Sequence, residues 1–390
     1  MLFPMASKKG FISMATVPSY SVVQSSRALH IFSELSKEFQ DMYLIMQHYE
    51  VNEVKLDNLI QVRPLIPIDG RFSLVKGMLY RLQLSLSAFW FAIRSHRDFA
   101  ILRGYDSIML LILLKLVGVR VYSDFHGKYD LELSQRGKHL RSFFVKYIDM
   151  ITLKLSDRII VVSEGIEAQI QEYKDKCILI PNGIDVQKID DANTGINTLD
   201  FKGYKKIVGF VGNWESFMNV EDMCQAAAYT PEVLFVIVGE GFNASALMDK
   251  YRSYENVLFA GRRPQKEAFS IMHMFDICIL PYDKMDSHSK YPGFFSSRKT
   301  KEYIAAGKPI IVADVIGKES CLIPGHNCVL YESRNPRDLA DKISELFNDT
   351  TLLASMGLNN FEMREHFTWD YLIQNSGIVE DLQNNGSSPE

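Results

Sequence analysis

The chain has 390 residues, too many for one ordinary core and about the length of two domains. An apolar fraction of 47% and a charged fraction of 23% are those of an ordinary soluble globular protein. The formal net charge of −4 gives no global attraction to nucleic acid, so no nucleic-acid partner is expected.

Lys8 and Lys9 precede an apolar stretch too short and too polar for a signal peptide, and Phe11 to Val17 reads as a first strand. Ser25 to Phe39 follows as a helix, with Ala28, Leu29, Phe32, Leu35 and Phe39 at helical spacing. Met42 to Met46 is a second strand, and Leu74 to Arg97 a long helix rich in aromatics. The most hydrophobic run, Ile108 to Val119, is broken by Lys115 and falls short of the ~20 residues that span a bilayer, so a buried helix is expected there. Val119 to Ser123 reads as a strand running into Asp124-Phe125-His126-Gly127. A helix over Leu140 to Leu155 leads to the β-branched strand Ile159 to Val162, and Ser163 caps the next helix. Strand Cys177 to Ile180 stops at the turn signal Pro181-Asn182-Gly183.

From Val186 to Gly203 the chain turns polar and reads as an interdomain linker. Strands then alternate with helices again: Ile207–Val211, Leu234–Val238, Val257–Ala260, Ile277–Leu280 and Pro309–Ala313, with helices through Ala226–Ala228, Ala244–Tyr251, Lys266–Met272 and Arg298–Ala306. This alternation predicts an α/β protein with a doubly wound parallel sheet on each side of the linker, in which ligands bind at the carboxyl ends of strands. The five cysteines, Cys177, Cys224, Cys278, Cys321 and Cys328, form no CxxC pair, and four sit in apolar strand-like or helix-like surroundings, which reads as buried thiols in a reducing compartment. A cytoplasmic protein is therefore expected.

The richest segment runs from Ser296 and Ser297 through Arg298, Lys299, Glu302 and Tyr303 to Gly307, Lys308 and Pro309. Two serines open a helix whose first turn carries two cations, a combination suited to a diphosphate. Glu302 lies one turn beyond Lys299, where a carboxylate can accept two hydrogen bonds from a vicinal diol such as a ribose. Gly307 ends the helix.

This segment resembles the Ser-x-x-Lys-x-x-Glu-Tyr-x-Ala-x-Gly-Lys-Pro donor motif of the group 1 glycosyltransferases, the retaining, family 4-like enzymes of GT-B fold. Ser296, Lys299, Glu302, Tyr303, Ala305, Gly307, Lys308 and Pro309 match in register. Ile159–Glu164, Ile180–Asp185, Val208–Gly212, Val238–Gly241, Phe259–Gly261 and Phe367–Trp369 resemble its other segments in order. The resemblance implies two Rossmann-like domains facing a cleft, with a C-terminal helix crossing back to the N-terminal domain. In those terms residues 1–187 form an acceptor-side domain, 188–203 the linker, 204–366 a donor-binding domain and 367–383 the crossover helix, before a disordered polar tail over 384–390.

Carried over by position, the resemblance implies that Glu302 binds ribose hydroxyls, and that Lys299, with Arg298 and the amides near Ser296 and Ser297, holds the diphosphate. Gly212 would let the donor phosphate approach the backbone. Gly239, Gly241 and Arg262 or Arg263 would line the base pocket. Asp124 and His126 match the family's Asp-x-His beside the donor sugar. Three departures stand out. Phe294 occupies the position of a first motif Glu, Asn213-Trp214-Glu215-Ser216 replaces the usual Arg and Lys, and Pro18-Ser19-Tyr20-Ser21 replaces a glycine-rich loop.

The implied reaction retains the anomeric configuration and needs no metal and no cofactor, the nucleotide-sugar being the donor substrate. A glycan or a lipid-linked molecule would be the acceptor, in surface polysaccharide or glycan biosynthesis. A non-catalytic partner of the same fold competes with this reading, as does a sugar-nucleotide epimerase, for which no extra acid–base carboxylates can be placed. Lys76 to Arg97 carries Tyr80, Phe89, Trp90 and Phe91 among basic residues and is compatible either with a core helix or with peripheral contact to an anionic membrane.

Overall fold

The computed structural model describes residues 8–14, 27–47, 58–65, 73–103, 107–127, 130, 133–134, 137–194, 199–214, 217–283, 296–315 and 319–384. The chain divides into two compact units, residues 1–181 with 369–390, and residues 182–368.

In the first unit the elements run β1 (Gly10–Met14), α1 (Arg27–Glu38), β2 (Met42–Gln47), β3 (Leu59–Val62), α2 (Ser73–Arg94), β4 (Phe99–Arg103), α3 (Ile108–Leu116), β5 (Arg120–Phe125), α4 (His139–Leu155), β6 (Arg158–Val161), α5 (Glu164–Gln169) and β7 (Cys177–Leu179). The strands are all parallel, in the order β3-β2-β1-β4-β5-β6-β7, so the winding reverses between β1 and β4. Successive side chains of a strand point to opposite faces, and the packing follows that alternation. Ile12, Leu44, Phe99 and Tyr122 pack under Ile31, Phe32 and Leu35 of α1. Phe11, Ile45, Ala100 and Val121 pack under Leu84 and Ala88 of α2 and Leu110 and Leu114 of α3.

The second unit runs α6 (Val186–Asp190), β8 (Lys206–Val211), α7 (Glu221–Ala226), β9 (Val233–Val238), α8 (Ala244–Lys250), β10 (Val257–Gly261), α9 (Gln265–His273), β11 (Ile277–Leu280), α10 (Arg298–Ala305), β12 (Ile310–Ala313), β13 (Cys328–Tyr331), α11 (Pro336–Asn348) and α12 (Thr350–Met363). Its parallel sheet has the order β10-β9-β8-β11-β12-β13 and reverses between β8 and β11. The apolar strand runs are buried on both faces, as parallel strands require.

Several expectations need correction. The segment read as linker begins with helix α6, and Ile189, Ala192 and Phe201 are buried in the core of the second unit, so these apolar residues override the polar composition. The run Ile108–Val119 is buried on one side only. Leu110, Leu111 and Leu114 face the sheet, while Ile112, Leu116 and Val117 are exposed. Strands β3, β4 and β13 and helices α11 and α12 lie where no element was expected. All five cysteines are free thiols, with Cys177 and Cys321 only half-buried. Phe294, Pro18–Ser21, Glu215, Ser216 and the tail beyond Asn384 lie outside the described residues.

The chain closes with α13 (Trp369–Asn375) and α14 (Ile378–Gln383), which pack on the first unit. Trp369 stacks on His30 of α1, with ring centroids 4.9 Å apart. Asp381 accepts hydrogen bonds from Tyr122 Oη at 2.5 Å, Arg158 Nε at 2.8 Å and Arg120 Nη2 at 3.1 Å. Burial alone would raise the Asp381 carboxyl, but Arg158, Tyr122 and Arg120 outweigh it and hold its pKa below the ordinary value. A lowered carboxylate contributes stability above the unfolded pKa of about 4 and loses it as the pH falls through the folded value. Asp381→Asn is therefore expected to cost about 1–3 kcal/mol at neutral pH, with the gap to wild type closing in acid. Denaturant melts across that range check this, and a gap independent of pH would refute the charge argument.

Candidate active site

In the second unit the strand ends nearest the reversal point are laced together by backbone. Gly212 follows β8 with φ +131° and donates to Val238 O, while Gly239 follows β9 with φ +125° and donates to Gly261 O. A Cβ on Gly239 would lie 2.3 Å from Gly212 O, and one on Gly241 would lie 2.0 Å from Trp214 O. These two glycines thus serve the close approach of one loop to the next. Trp214 is buried, and its Nε1 donates to Phe242 O at 2.9 Å. The side chain standing in the stretch where a cation was looked for is therefore a clamp between the loops after β8 and β9.

Lys299, from the first turn of α10, lies over Gly212. A Cβ there would come within 2.4 Å of Lys299 Cε, and Lys299 Nζ lies 5.8 Å from the centre of the Phe210 ring. Glu302 is one turn further along, its side chain 14% exposed, with Oε1 3.6 Å from Arg298 Nη2. Burial raises the Glu302 carboxyl above its ordinary value, although Arg298 and Lys299 pull the other way. Gly212, Arg298, Lys299 and Glu302 are thus brought together at the start of one helix.

The two serines have other work. Ser296 Oγ accepts from Asn182 N at 2.8 Å and from Lys301 Nζ at 3.0 Å, while Asn182 Nδ2 donates to Ser296 O. Ser297 caps α10 through Thr300 N, and its own amide, expected near a diphosphate, donates to Glu319 Oε1 at 2.9 Å. Lys301 Nζ pairs with the same Glu319 oxygen at 2.6 Å, both side chains being buried. These partners tie the Ser296 hydroxyl and the Ser297 amide to Asn182, Lys301 and Glu319. Tyr303 anchors the other side of the helix by accepting from Val211 N at 2.8 Å. Lys308 Nζ donates to His273 O and Phe275 O, closing the end of α9.

Arg263 donates from Nε to Ala260 O at 2.9 Å and pairs with Glu267 at 3.1 Å, so its guanidinium is held against α9 rather than presented to a ring. Arg262 is exposed at the end of β10.

In the first unit, Asp124 lies at the carboxyl end of β5 and is buried. Arg27 Nε donates to its Oδ1 at 3.0 Å, and His126 Nε2 lies 2.8 Å from its Oδ2. Burial would raise this carboxyl, but Arg27, His126 and Arg103 hold it far below the carboxylate range. Asp124 was expected to touch the donor; instead both its oxygens are spent on orienting neighbours. His126 keeps 35% of its side chain exposed.

Arg27, Lys301 and Glu319 were missed in the sequence. Arg27 and Glu319 have no local pattern that marks them; Lys301 lies inside the motif but at a position the motif leaves open.

Residues 205–349 match the family "Glycosyl transferases group 1", and residues 34–188 match "Glycosyltransferase Family 4". The chain belongs to the group 1, family 4-like glycosyltransferases. An uncharacterised glycosyltransferase of Methanocaldococcus jannaschii is 28% identical over 231 residues, covering 56% of this chain and 57% of that protein. A D-inositol 3-phosphate glycosyltransferase of Corynebacterium diphtheriae is 26% identical over 179 residues, 43% of this chain and 40% of its own length. The matches thus span about half the length of these relatives. HepE of Anabaena, solved with UDP-glucose, superposes with a TM-score of 0.70 at 15% identity, over 96% of this chain and 99% of that one. That likeness shows the α/β GT-B fold, with two Rossmann-like parallel sheets. The family's motif residues fall into two sets here: Lys299 and Glu302 beside Gly212 at the start of α10, and Ser296, Tyr303, Gly307 and Lys308 holding the helix in place.

Proposed function

We propose that this protein transfers a sugar from a nucleotide-sugar donor to a glycan or lipid-linked acceptor. The observation that carries the reading is Lys299 laid over Gly212 at the start of α10, with the Glu302 carboxylate one turn beyond. Helix α10 carries two cations in its first turn together with its N-terminal partial charge, a setting in which an anionic diphosphate is stabilised. Glu302 accepts hydrogen bonds from the ribose diol, and burial strengthens each of them.

In the proposed reaction the bond from the anomeric carbon to the diphosphate oxygen breaks as Arg298 and Lys299 take up the developing charge. The acceptor oxygen bonds to the anomeric carbon from the same face, and its proton passes to the departing diphosphate. Configuration is thereby retained without a protein nucleophile. The two cations supply the charge a metal would otherwise bring, which supports a metal-independent reaction. His126 Nδ1, fixed through Asp124, is assigned to a sugar hydroxyl. Gly239, Gly241 and Arg262 are assigned to the base. We place the reaction in surface polysaccharide or glycan biosynthesis on the cytoplasmic side of a membrane. Support for sugar transfer from a nucleotide-sugar comes from the D-inositol 3-phosphate glycosyltransferase relatives and the UDP-glucose complex of HepE.

The test is a turnover screen of UDP-, GDP- and ADP-sugars with EDTA present, reading nucleotide release and the anomeric configuration of the product by NMR. Release that survives EDTA, with a retained product, is expected. Loss of all turnover in EDTA would overturn metal independence, and an inverted product would overturn the mechanism. A non-catalytic partner is favoured by one observation, the Ser297 amide spent on Glu319. It requires that nucleotide-sugars bind and never turn over with any acceptor.

A further inference from the structure

Helices α2, α3 and α4 lie side by side on one face of the first unit, with α3 touching both of the others. Their inner stripes are ordinary core. Their outer stripes are not polar, as a solvated helix face would be. On α4, Leu140, Phe143, Phe144, Tyr147, Met150 and Ile151 are exposed, Phe143 and Phe144 at 55% and 59%. The Phe143 ring lies 4.8 Å from that of Tyr147 and 6.0 Å from that of Phe144, so the aromatics form one cluster. On α2, Met78, Leu82, Leu86 and Trp90 are exposed, Trp90 at 62%. Helix α3 adds Ile112 and Leu116.

Charge is just as one-sided. The chain as a whole carries 47 acidic against 43 basic residues. Across these three helices the sole acidic side chain is Asp149, and it is buried. Arg94 on α2 and Arg141, Lys146 and Lys154 on α4 are exposed among the apolar residues. Two such faces brought together would repel, which argues against a second copy of this chain as the occupant. A surface that accepts aromatic side chains and offers dispersed negative charge satisfies both features.

We propose that this face docks on a membrane leaflet rich in anionic lipid, with Phe143, Phe144 and Trp90 entering the headgroup region and the Lys and Arg side chains meeting the headgroups. No helix among the described residues is long and apolar enough to cross a membrane, so the contact is with the surface. Helix α4 contributes the larger aromatic cluster, which extends the surface well beyond α2. The docking does not depend on the donor chemistry and is measured without turnover, so either reading can fail alone.

The test is flotation of the full chain with vesicles of phosphatidylcholine alone or mixed with phosphatidylglycerol, at low and high salt. Binding to the mixed vesicles that weakens with salt is expected. Phe143→Ser with Phe144→Ser should weaken it more than tenfold, and each of Arg141→Glu and Lys146→Glu by at least roughly fivefold, the worth of one basic residue at such a surface. Melting temperatures and nucleotide-sugar binding of these variants should match wild type, because the side chains are exposed and distant from α10 in sequence. No binding to the mixed vesicles, or equal binding by the variants, overturns the proposal. So does a concentration-dependent dimer that the same substitutions dissolve, since that would give the face to a second copy.

Discussion

Lys299→Ala is expected to lower turnover by about 100- to 1,000-fold while leaving the fold intact, the loss seen when one preorganised charge donor to a leaving group is removed. Its side chain is carried over Gly212, where the absent Cβ leaves room for the lysine stem. The stem crosses a glycine that has no side chain to lose contact with, so truncation leaves little cavity. Glu302→Ala should behave differently. Its carboxylate is assigned to the ground-state grip on the ribose, and a hydrogen bond to a charged acceptor is worth about 1.5–3 kcal/mol. The donor KM should therefore rise roughly 10- to 100-fold per bond lost, with a smaller fall in kcat. Steady-state kinetics of the two variants with the donor found in the screen separate the roles. If Lys299→Ala turned over within about threefold of wild type, electrostatic stabilisation by this helix would have to be abandoned. The same KM-against-kcat pattern in both variants would dissolve the division of labour.

The second large effect concerns stability. Glu319→Ala is expected to cost about 3–5 kcal/mol, because it leaves the Lys301 ammonium buried without its counter-charge. For a domain of this size that corresponds to a fall in melting temperature of roughly 10 °C. The consequence reaches the site, since the same carboxylate oxygen holds the Ser297 amide and Lys301 in turn holds Ser296. Losing Glu319 should unseat the start of α10 and weaken nucleotide binding, although Glu319 itself is assigned no contact with the donor. The double replacement Lys301→Met with Glu319→Leu tests the cause. A buried pair replaced by apolar side chains of similar size is often neutral or better, so the double variant should melt closer to wild type than Glu319→Ala does. An unchanged melting temperature in the single variant would show that Lys301 finds water and that the pair is not a support.

Much of this was legible in the chain itself. The β-branched runs at Ile159–Val161, Val233–Val238 and Ile277–Leu280 are strands in the structure because a parallel strand between two helical layers is apolar throughout. Gly239 follows the second of these runs and Pro281 the third. The motif spacing placed Lys299 and Glu302 one turn apart on a helix. Other elements escaped for local reasons. Strand β3 is only four residues long at a sheet edge, three of them half-buried, and β4 starts five residues after α2 ends, directly behind the long helical pattern that runs to Arg97. The polar run after Val186 hid three apolar residues that insert into the second core.

What the sequence alone determined is the order of elements and the placing of the key cation and carboxylate, because both depend on spacing along the chain. Only the tertiary structure decided which neighbours each residue meets. Ser296 meets Asn182 across 114 residues, Tyr303 meets Val211 across 92, and Lys301 meets Glu319 across 18. It set Asp124 against Arg27, and gave α4 an exposed aromatic face. Periodicity fixes which side of an element is apolar, while hydrogen-bond partners and burial follow from packing between segments far apart in the chain.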